Sequence, residues 1–283
     1  MELDDQRRSD QIEDRRGISV GQGVAGGGIG VVVIALIAMF LGVDPSAVLQ
    51  QAATTQGPQQ SVQTRTPARA DKMADFVAAV LGSTEDTWTD VFARGGRRYE
   101  KPTLVLFTGA VQSACGFAQA AVGPFYCPAD HKLYIDLAFY RDLQDRFHAP
   151  GEFAQAYVIA HEVGHHVQNL LGIAERVHGA QQRAGERQAN ALSVRMELQA
   201  DCLAGVWAAR ANRAKRILDE GDVEEGLAAA AAVGDDRIQM AARGYVSPES
   251  FTHGSAQQRV RWFRRGLENG ELKACDTFNA AQL

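Results

Sequence analysis

The sequence lacks the features that mark a nucleic-acid-binding protein or a small disulfide scaffold. Its 283 residues carry a net charge of −5, and no basic block or aromatic-interleaved patch occurs along them. Nucleic-acid binders normally show a basic stripe, so we expect no nucleic-acid partner. The four cysteines include no C-x-x-C pair of the zinc-ribbon type. Charged residues at 22% and aromatic residues at 7% are ordinary, which excludes wholesale disorder and coiled coil.

Charged side chains are also absent from Gly17 to Val43, and the part from Ile29 to Leu41 is nearly all apolar. About 20 apolar residues cross the hydrocarbon core of a bilayer, so residues 17–43 are long enough. A signal peptide or a glycine linker is the alternative, but a signal peptide requires a small-x-small cleavage site, and the run ends in Leu-Gly-Val-Asp-Pro. The segment therefore predicts one uncleaved transmembrane helix in contact with the lipid bilayer.

The distribution of arginine predicts how this anchor is oriented. Four arginines precede it and none follows until Arg65, and positively charged flanks stay in the cytoplasm. Residues 1–16 are thus expected to be the cytoplasmic N-terminal tail of a single-pass membrane protein. Residues 44–71, rich in Gln, Thr, Ala and Pro, are expected to form a flexible linker. Residues 72–283 are expected to form a domain on the periplasmic or extracellular side.

Within this domain, a few short strands precede a long helical region. Runs at residues 103–107 and 133–137 are typical of strands, with an irregular stretch between them. Helical spacing occurs at residues 71–81, 152–171, 186–212, 222–233 and 255–267. This order of elements predicts an α+β fold with a small β-sheet and a mainly helical remainder.

The most informative pattern is His161-Glu162-Val163-Gly164-His165, inside the helical segment 152–171. Histidines at i and i+4 share one helix face, so both imidazoles can reach one metal ion. Glu162 projects along the flank of that face, where it could hold a metal-bound water without being a ligand. The alternative is a surface helix with scattered histidines, but the rest of the helix is largely apolar, and buried polar groups need partners.

A catalytic zinc site has three protein ligands and one open position, so a third ligand is expected on another element. His166 and His178 have the wrong spacing for this role. Glu197, with Asp201 four residues later, is the better candidate. Glu197 would bind the metal, and Asp201 would accept a hydrogen bond from the other ring nitrogen of a ligand histidine. The alternative is a solvated acidic pair, which the apolar residues that follow Glu197 disfavour.

The run AYVIAHEVGHHVQ at residues 156–168 resembles the active-site helix of the bacterial neutral zinc metallopeptidase family. That family is membrane-anchored and gluzincin-like, with His-Glu-x-x-His and a distant Glu. Further matching stretches are Gly123–Pro128, Glu197–Cys202, Gly234–Arg237 and Phe251–Ser255, within a similarity that extends over residues 71–278. The resemblance implies a zincin-like fold, a protein or peptide substrate and a Zn²⁺ cofactor. It implies that His161, His165 and Glu197 are the metal ligands and that Glu162 is the general base.

A peptidase of this kind also needs a donor to the developing oxyanion. His253 in Thr-His-Gly-Ser is the candidate, since gluzincins often supply a late histidine for this purpose. The alternative is that Ser255 caps the following helix while His253 only packs. Tyr157 and Tyr245 are weaker candidates for the same role. The other histidines, His131, His148, His166 and His178, are interpreted as structural or surface residues.

The four cysteines allow three disulfide pairings in an oxidising compartment. We expect Cys115–Cys127, which closes a short loop, and Cys202–Cys275, which links the Glu197 helix to the C-terminal tail. Four buried free thiols are the alternative for a cytosolic protein.

The sequence leaves three functional hypotheses. The first is a zinc-dependent peptidase. The second is a catalytically silent, zinc-bound envelope scaffold whose metal site is closed. The third is a metal-dependent amidase that acts on cell-wall peptide.

Overall fold

The computed structural model describes residues 1–17, 71–120 and 123–283. The predicted anchor at 17–43 and linker at 44–71 lie outside these residues except for Gly17 and Asp71, so both stay predictions. Within the described ranges, no helix combines the length and the apolar character needed to cross a bilayer.

The structure is of the α+β class, as predicted, and its main sheet has four strands. The described residues form six strands in two sheets: β1 (Ile12–Asp14), β2 (Thr103–Phe107), β3 (Ala110–Ser113), β4 (Gly116–Gln119), β5 (Phe125–Cys127) and β6 (Lys132–Asp136). The sheet has the order β1-β2-β6-β5, with β5 antiparallel to β6 and the other pairs parallel. β3 and β4 form a separate antiparallel hairpin. β4 and β5 lie within residues 115–127, which the sequence predicts to be irregular, and β3 lies just before them.

The described residues also contain eight α-helices. They are α1 (Lys72–Arg94), α2 (Ala138–Asp145), α3 (Glu152–Leu170), α4 (Ile173–Gln181), α5 (Glu186–Lys215), α6 (Asp222–Ala232), α7 (Asp235–Arg243) and α8 (Ala256–Asn269). Helices α3, α5, α6 and α8 match the predicted segments closely. Helix α1 runs well beyond the predicted end at residue 81, because burial of Trp88 and Phe92 outweighs the low helix propensity of Gly82, Ser83 and Thr84.

Helices α3 and α5 lie side by side in the core and carry the two halves of the predicted metal site. Their close approach depends on Gly164, where an added Cβ would lie 3.0 Å from the Ala200 carbonyl oxygen. Buried aromatic side chains help to join the helices: Phe153 of α3 stacks on Trp207 of α5, and Phe263 of α8 packs against Phe153. The site is therefore built on two rigid, packed helices rather than on loops.

Residues 1–17 belong to the folded domain, which corrects the prediction of a separate N-terminal tail. β1 extends the sheet beside β2, with Ile12 opposite Leu104. The amino group of Met1 lies 2.9 Å from the Asp219 carboxylate. With only three residues, β1 is too short to show the alternation by which strands are recognised in a sequence.

The two disulfides are Cys115–Cys127 and Cys202–Cys275, which confirms the predicted pairing. The second bond joins α5, which carries Glu197, to the short 3₁₀ helix Leu272–Cys275.

Candidate metal centre

The structure brings His161, His165 and Glu197 together at one point between α3 and α5. Their candidate ligand atoms all lie within 4.8 Å of one another. The two Nε2 atoms of the histidines are 3.2 Å apart. Glu197 Oε2 lies 3.1 Å from His161 Nε2, and its Oε1 lies 3.4 Å from His165 Nε2. The helical spacing of the histidines and the facing position of Glu197 thus produce one convergent set of donors.

The other ring nitrogen of His161 faces Asp201, the residue that lies one helical turn after Glu197. His161 Nδ1 lies 2.9 Å from Asp201 Oδ1, which leaves Nε2 directed at the other ligands. Asp201 is fully buried and receives two hydrogen bonds of 2.8 Å from the guanidinium of Arg259 on α8. The Tyr157 hydroxyl also donates to Asp201. Arg259 was not among the predicted site residues.

The charges in this group shift one another's pKa values. Burial lowers the pKa of His161, but the Asp201 charge and hydrogen bonds with Asp201 and Glu197 raise it overall to about 9. Burial raises the pKa of Asp201, yet Arg259 and His161 hold it at about 2. Burial likewise opposes ionisation of Glu197, but the two histidines keep its pKa well below the usual range. A metal ion that binds the histidine nitrogens must therefore displace protons from them.

A chain of amide side chains holds the second histidine. His165 Nδ1 donates to Gln168 Oε1 at 2.9 Å. Gln168 Nε2 donates to Gln199 Oε1 at 3.1 Å and to the Met196 carbonyl at 2.7 Å. Gln199 Nε2 in turn donates to the carbonyl of Cys275 at 2.8 Å. His165 is thus oriented by groups that are tied to the Cys202–Cys275 disulfide.

Glu162 lies beside this cluster with a free carboxylate. Its residue is 8% exposed, and within residues 1–17, 71–120 and 123–283 its side chain makes no hydrogen bond. Burial lowers the pKa of His165, but the charge and hydrogen bond of Glu197 raise it overall. The charge of Glu162 makes a smaller contribution in the same direction. A carboxylate next to the donors but outside the donor set has the placement that a general base requires.

His253 is held at the edge of the site by Asp235, another residue that sequence reasoning did not assign. Asp235 Oδ1 lies 3.2 Å from His253 Nδ1, and its Oδ2 accepts backbone hydrogen bonds from residues 252–254. The hydrogen bond with Asp235 raises the pKa of His253, burial opposes it, and the nearby Glu197 charge adds to the rise. The His253 side chain is 53% exposed. Ser255 caps α8 in a capping box, as the alternative proposed, so the cap and an exposed His253 coexist.

The remaining candidate residues are not part of the donor cluster. Tyr157 is buried, with its hydroxyl bonded to Asp201, whereas Tyr245 is 60% exposed. His166 lies in the core, between the Tyr126 hydroxyl and the Glu100 carbonyl, and burial lowers its pKa to about 4. His178 is exposed beside Gln182. The structure thus leaves His166 and His178 outside the donor cluster.

The donor set fits a catalytic zinc ion. Two imidazole nitrogens and one carboxylate are a ligand combination of catalytic zinc sites, which keep a fourth position for water or substrate. Each histidine also has its second nitrogen hydrogen-bonded, a feature that metal-binding histidines nearly always show. The described residues provide three such donors in this group.

Comparison with known proteins agrees with this chemistry. Over residues 1–278 the chain matches the family described as "Putative neutral zinc metallopeptidase". It is 46% identical over 287 residues to "Uncharacterized protein YpfJ" of Escherichia coli (strain K12), covering 98% of this chain and 99% of that protein. It is 45% identical over 262 residues to "Uncharacterized protein Rv2575" of Mycobacterium tuberculosis (strain H37Rv), covering 87% and 86%. No solved structure matches the chain. The match along nearly the whole sequence confirms the resemblance, and the chain belongs to the neutral zinc metallopeptidase family.

Proposed function

We propose that the protein is a zinc-dependent peptidase with Glu162 as its general base. The observation that carries this proposal is the convergence of His161, His165 and Glu197 close to the Glu162 carboxylate, which makes no hydrogen bond to the described residues. His161, His165 and Glu197 would hold the ion, with Asp201 and Gln168 fixing the two imidazoles.

The residues of the chain divide the work of peptide-bond hydrolysis. A bound zinc ion supplies a Lewis acid that makes water more acidic and polarises the scissile carbonyl. Glu162 takes the proton from the attacking water and delivers it to the leaving nitrogen. His253, with its Nδ1 engaged by Asp235, offers its Nε2 to the developing oxyanion. The raised pKa of His253 favours the protonated ring, which is a hydrogen-bond donor at both nitrogens.

The hypothesis of a silent scaffold predicts a closed metal site with four protein ligands. A set of three donors, with a base on one side and an exposed histidine nearby, favours catalysis instead. The same site chemistry would cleave a protein or a cell-wall peptide, so the experiment below tests both substrates.

The domain is proposed to work in an oxidising compartment, periplasmic or extracellular, because both cysteine pairs form disulfides. Contact with the lipid bilayer through residues 17–43 is part of the same proposal.

The test is hydrolysis of a mixed peptide library by the purified full-length protein, with mass spectrometry to detect new amino termini. We expect cleavage that a chelator abolishes and that added zinc restores. A parallel digest of cell-wall peptide fragments tests the amidase hypothesis, which cleavage of those fragments alone would favour. Cleavage that survives removal of zinc, or no cleavage of either substrate, would overturn the proposed function.

A further inference from the structure

We infer that residues 1–17, here called the N-segment, lie on the same side of the membrane as the metallopeptidase domain. The N-segment occupies a surface formed by α1, β2 and the start of α6, and that surface fits it in backbone pairing, shape and charge. The inference is independent of the catalytic activity.

The backbone of the N-segment is part of the central sheet. Leu104 N donates to the Gln11 carbonyl at 2.8 Å, and Arg15 N donates to the Leu106 carbonyl at 2.8 Å. Every third side chain from residue 3 is buried, with exposures between 6% and 9%: Leu3, Gln6, Ser9 and Ile12. The pairing therefore includes both main-chain hydrogen bonds and a buried face.

Helix α1 is shaped to receive the N-segment at Gly82. A Cβ at this position would lie 2.2 Å from the carbonyl oxygen of Arg7. Glycine within a helix is unfavourable relative to alanine. Its presence in the middle of a buried helix is explained by the passage of the N-segment backbone over it.

Helix α1 also carries a charge that the N-segment neutralises. The Glu85 side chain is fully buried, and it accepts from Arg7 Nη2 at 2.5 Å and from the Ser9 hydroxyl. Lys101 Nζ lies 3.1 Å away. A buried carboxylate is costly unless it is paired and hydrogen-bonded. Without the N-segment, Glu85 would keep only Lys101 of these three partners.

The arginines on which the predicted orientation was based have partners in the fold. Arg7 pairs with Glu85, Arg8 with Asp75, Arg15 with Glu13 and Arg16 with Asp14 and Asp71. Folding thus accounts for the four arginines without any role in membrane orientation. A hydrocarbon core about 30 Å thick cannot separate two strands that are hydrogen-bonded to each other. A cytoplasmic N-segment and an exported domain are therefore incompatible with this sheet, and any contact of residues 18–43 with the bilayer would have to begin and end on the same side.

The docking is tested by comparing two variants of the purified full-length protein, each with one helical glycine replaced by alanine. In Gly82→Ala the new methyl group collides with the Arg7 backbone, so we expect the melting temperature to fall by roughly 5 °C. Gly179→Ala in α4 is the matched control, because the nearest atom to its Cβ is 3.7 Å away, in the flexible Arg183 side chain. It should leave the melting temperature unchanged or raise it. A Gly82→Ala variant as stable as the control would overturn the docking.

The compartment is tested by labelling in intact bacterial cells with a membrane-impermeant maleimide. Asp10→Cys in the N-segment and Glu220→Cys in the domain are both at exposed positions, and the native cysteines are paired in disulfides. The unsubstituted protein gives the background. We expect the ratio of labelling in intact cells to labelling after lysis to be the same for both variants. Labelling of Glu220→Cys in intact cells, with Asp10→Cys labelled only after lysis, would overturn the inference.

Discussion

Arg259 on α8 and Asp201 on α5 form a two-point ion pair, with 2.8 Å from both Nε and Nη2 of the guanidinium to the two carboxylate oxygens. The side chains are 4% and 0% exposed. Because Asp201 Oδ1 also faces His161 Nδ1, the ion pair orients the ring of a proposed metal ligand. The position of α8 is thereby coupled to the geometry of the metal centre.

Removal of Arg259 should damage both stability and metal binding. In Arg259→Met the buried Asp201 charge loses its main partner, and breaking a buried pair in this way costs about 3–5 kcal/mol. Zinc affinity should fall as well, because Asp201 no longer has a fixed position. Urea unfolding of the zinc-free protein and chelator competition measure the two effects. Arg264→Met, at an exposed position on the same helix, is the control. Equal behaviour of the two variants would contradict the role of the ion pair.

The chain from His165 through Gln168 and Gln199 to the Cys275 carbonyl should contribute to zinc affinity. Gln168→Ala removes the acceptor that fixes the His165 ring, and loss of such a partner typically weakens metal binding by about 10–100-fold. Competition with a chelating dye measures this change. Gln182→Ala, which removes an exposed glutamine beside His178, should bind zinc as the native protein does. Unchanged affinity in Gln168→Ala would show that the helix alone orients His165.

The stabilisation by zinc should depend on pH because His161 has a raised pKa. Its value of about 9 in the metal-free fold lies above the ordinary 6.5. The ion pairs of this histidine therefore stabilise the metal-free protein fully below about pH 6.5, and this contribution is lost as the pH rises through about 9. Zinc competes with the same protons.

We accordingly expect the increase in melting temperature on adding zinc to grow with pH, and still to grow between about pH 7 and pH 8.5. Thermal unfolding at fixed free zinc across this range measures it. In Asp201→Asn, which lacks the charge that raises the pKa of His161, the growth over this range should be smaller, and the raised pKa of His165 accounts for what remains. A native protein whose growth is no larger than that of Asp201→Asn would contradict the raised pKa of His161.

His253 should affect catalysis without affecting the metal. Loss of one oxyanion donor typically lowers kcat by about 10²–10³-fold, and His253→Ala should show a loss of this size with unchanged zinc content. His178→Ala, at an exposed position on α4, is the control and should retain full activity. Full activity in His253→Ala would mean that the histidine only packs against the loop held by Asp235.

The sequence predicted those parts of the site that depend on local spacing. The positions of His161 and His165 follow from an i, i+4 pattern on an apolar helix, and those of Glu197 and Asp201 follow from the same rule on α5. The short runs at β2 and β6 were also recognised, because both strands are buried and rich in branched residues.

What the sequence did not reveal depends on contacts between distant elements. Arg259 lies in a helix with three other arginines, of which Arg264 and Arg265 are exposed, and only the packing of α8 on α5 shows that Arg259 faces inward. Gln168 and Asp235 lay in stretches that resemble the family, but neither residue has a pattern that indicates its partner. In the sequence, a long apolar stretch separates the N-segment from β2, so the pairing of the two strands has no local signal.

The proposed mechanism is tested most directly by comparing Glu162→Gln with Glu197→Ala in one assay of zinc content and hydrolysis. Glu162→Gln keeps all three ligands, so its zinc content and melting temperature should match those of the native protein. Its hydrolysis should fall by at least about 10²–10⁴-fold, the usual contribution of general acid–base catalysis. Glu197→Ala should lose zinc, stability and activity together. Equal loss of zinc in both variants, or undiminished hydrolysis in Glu162→Gln, would contradict Glu162 as the general base.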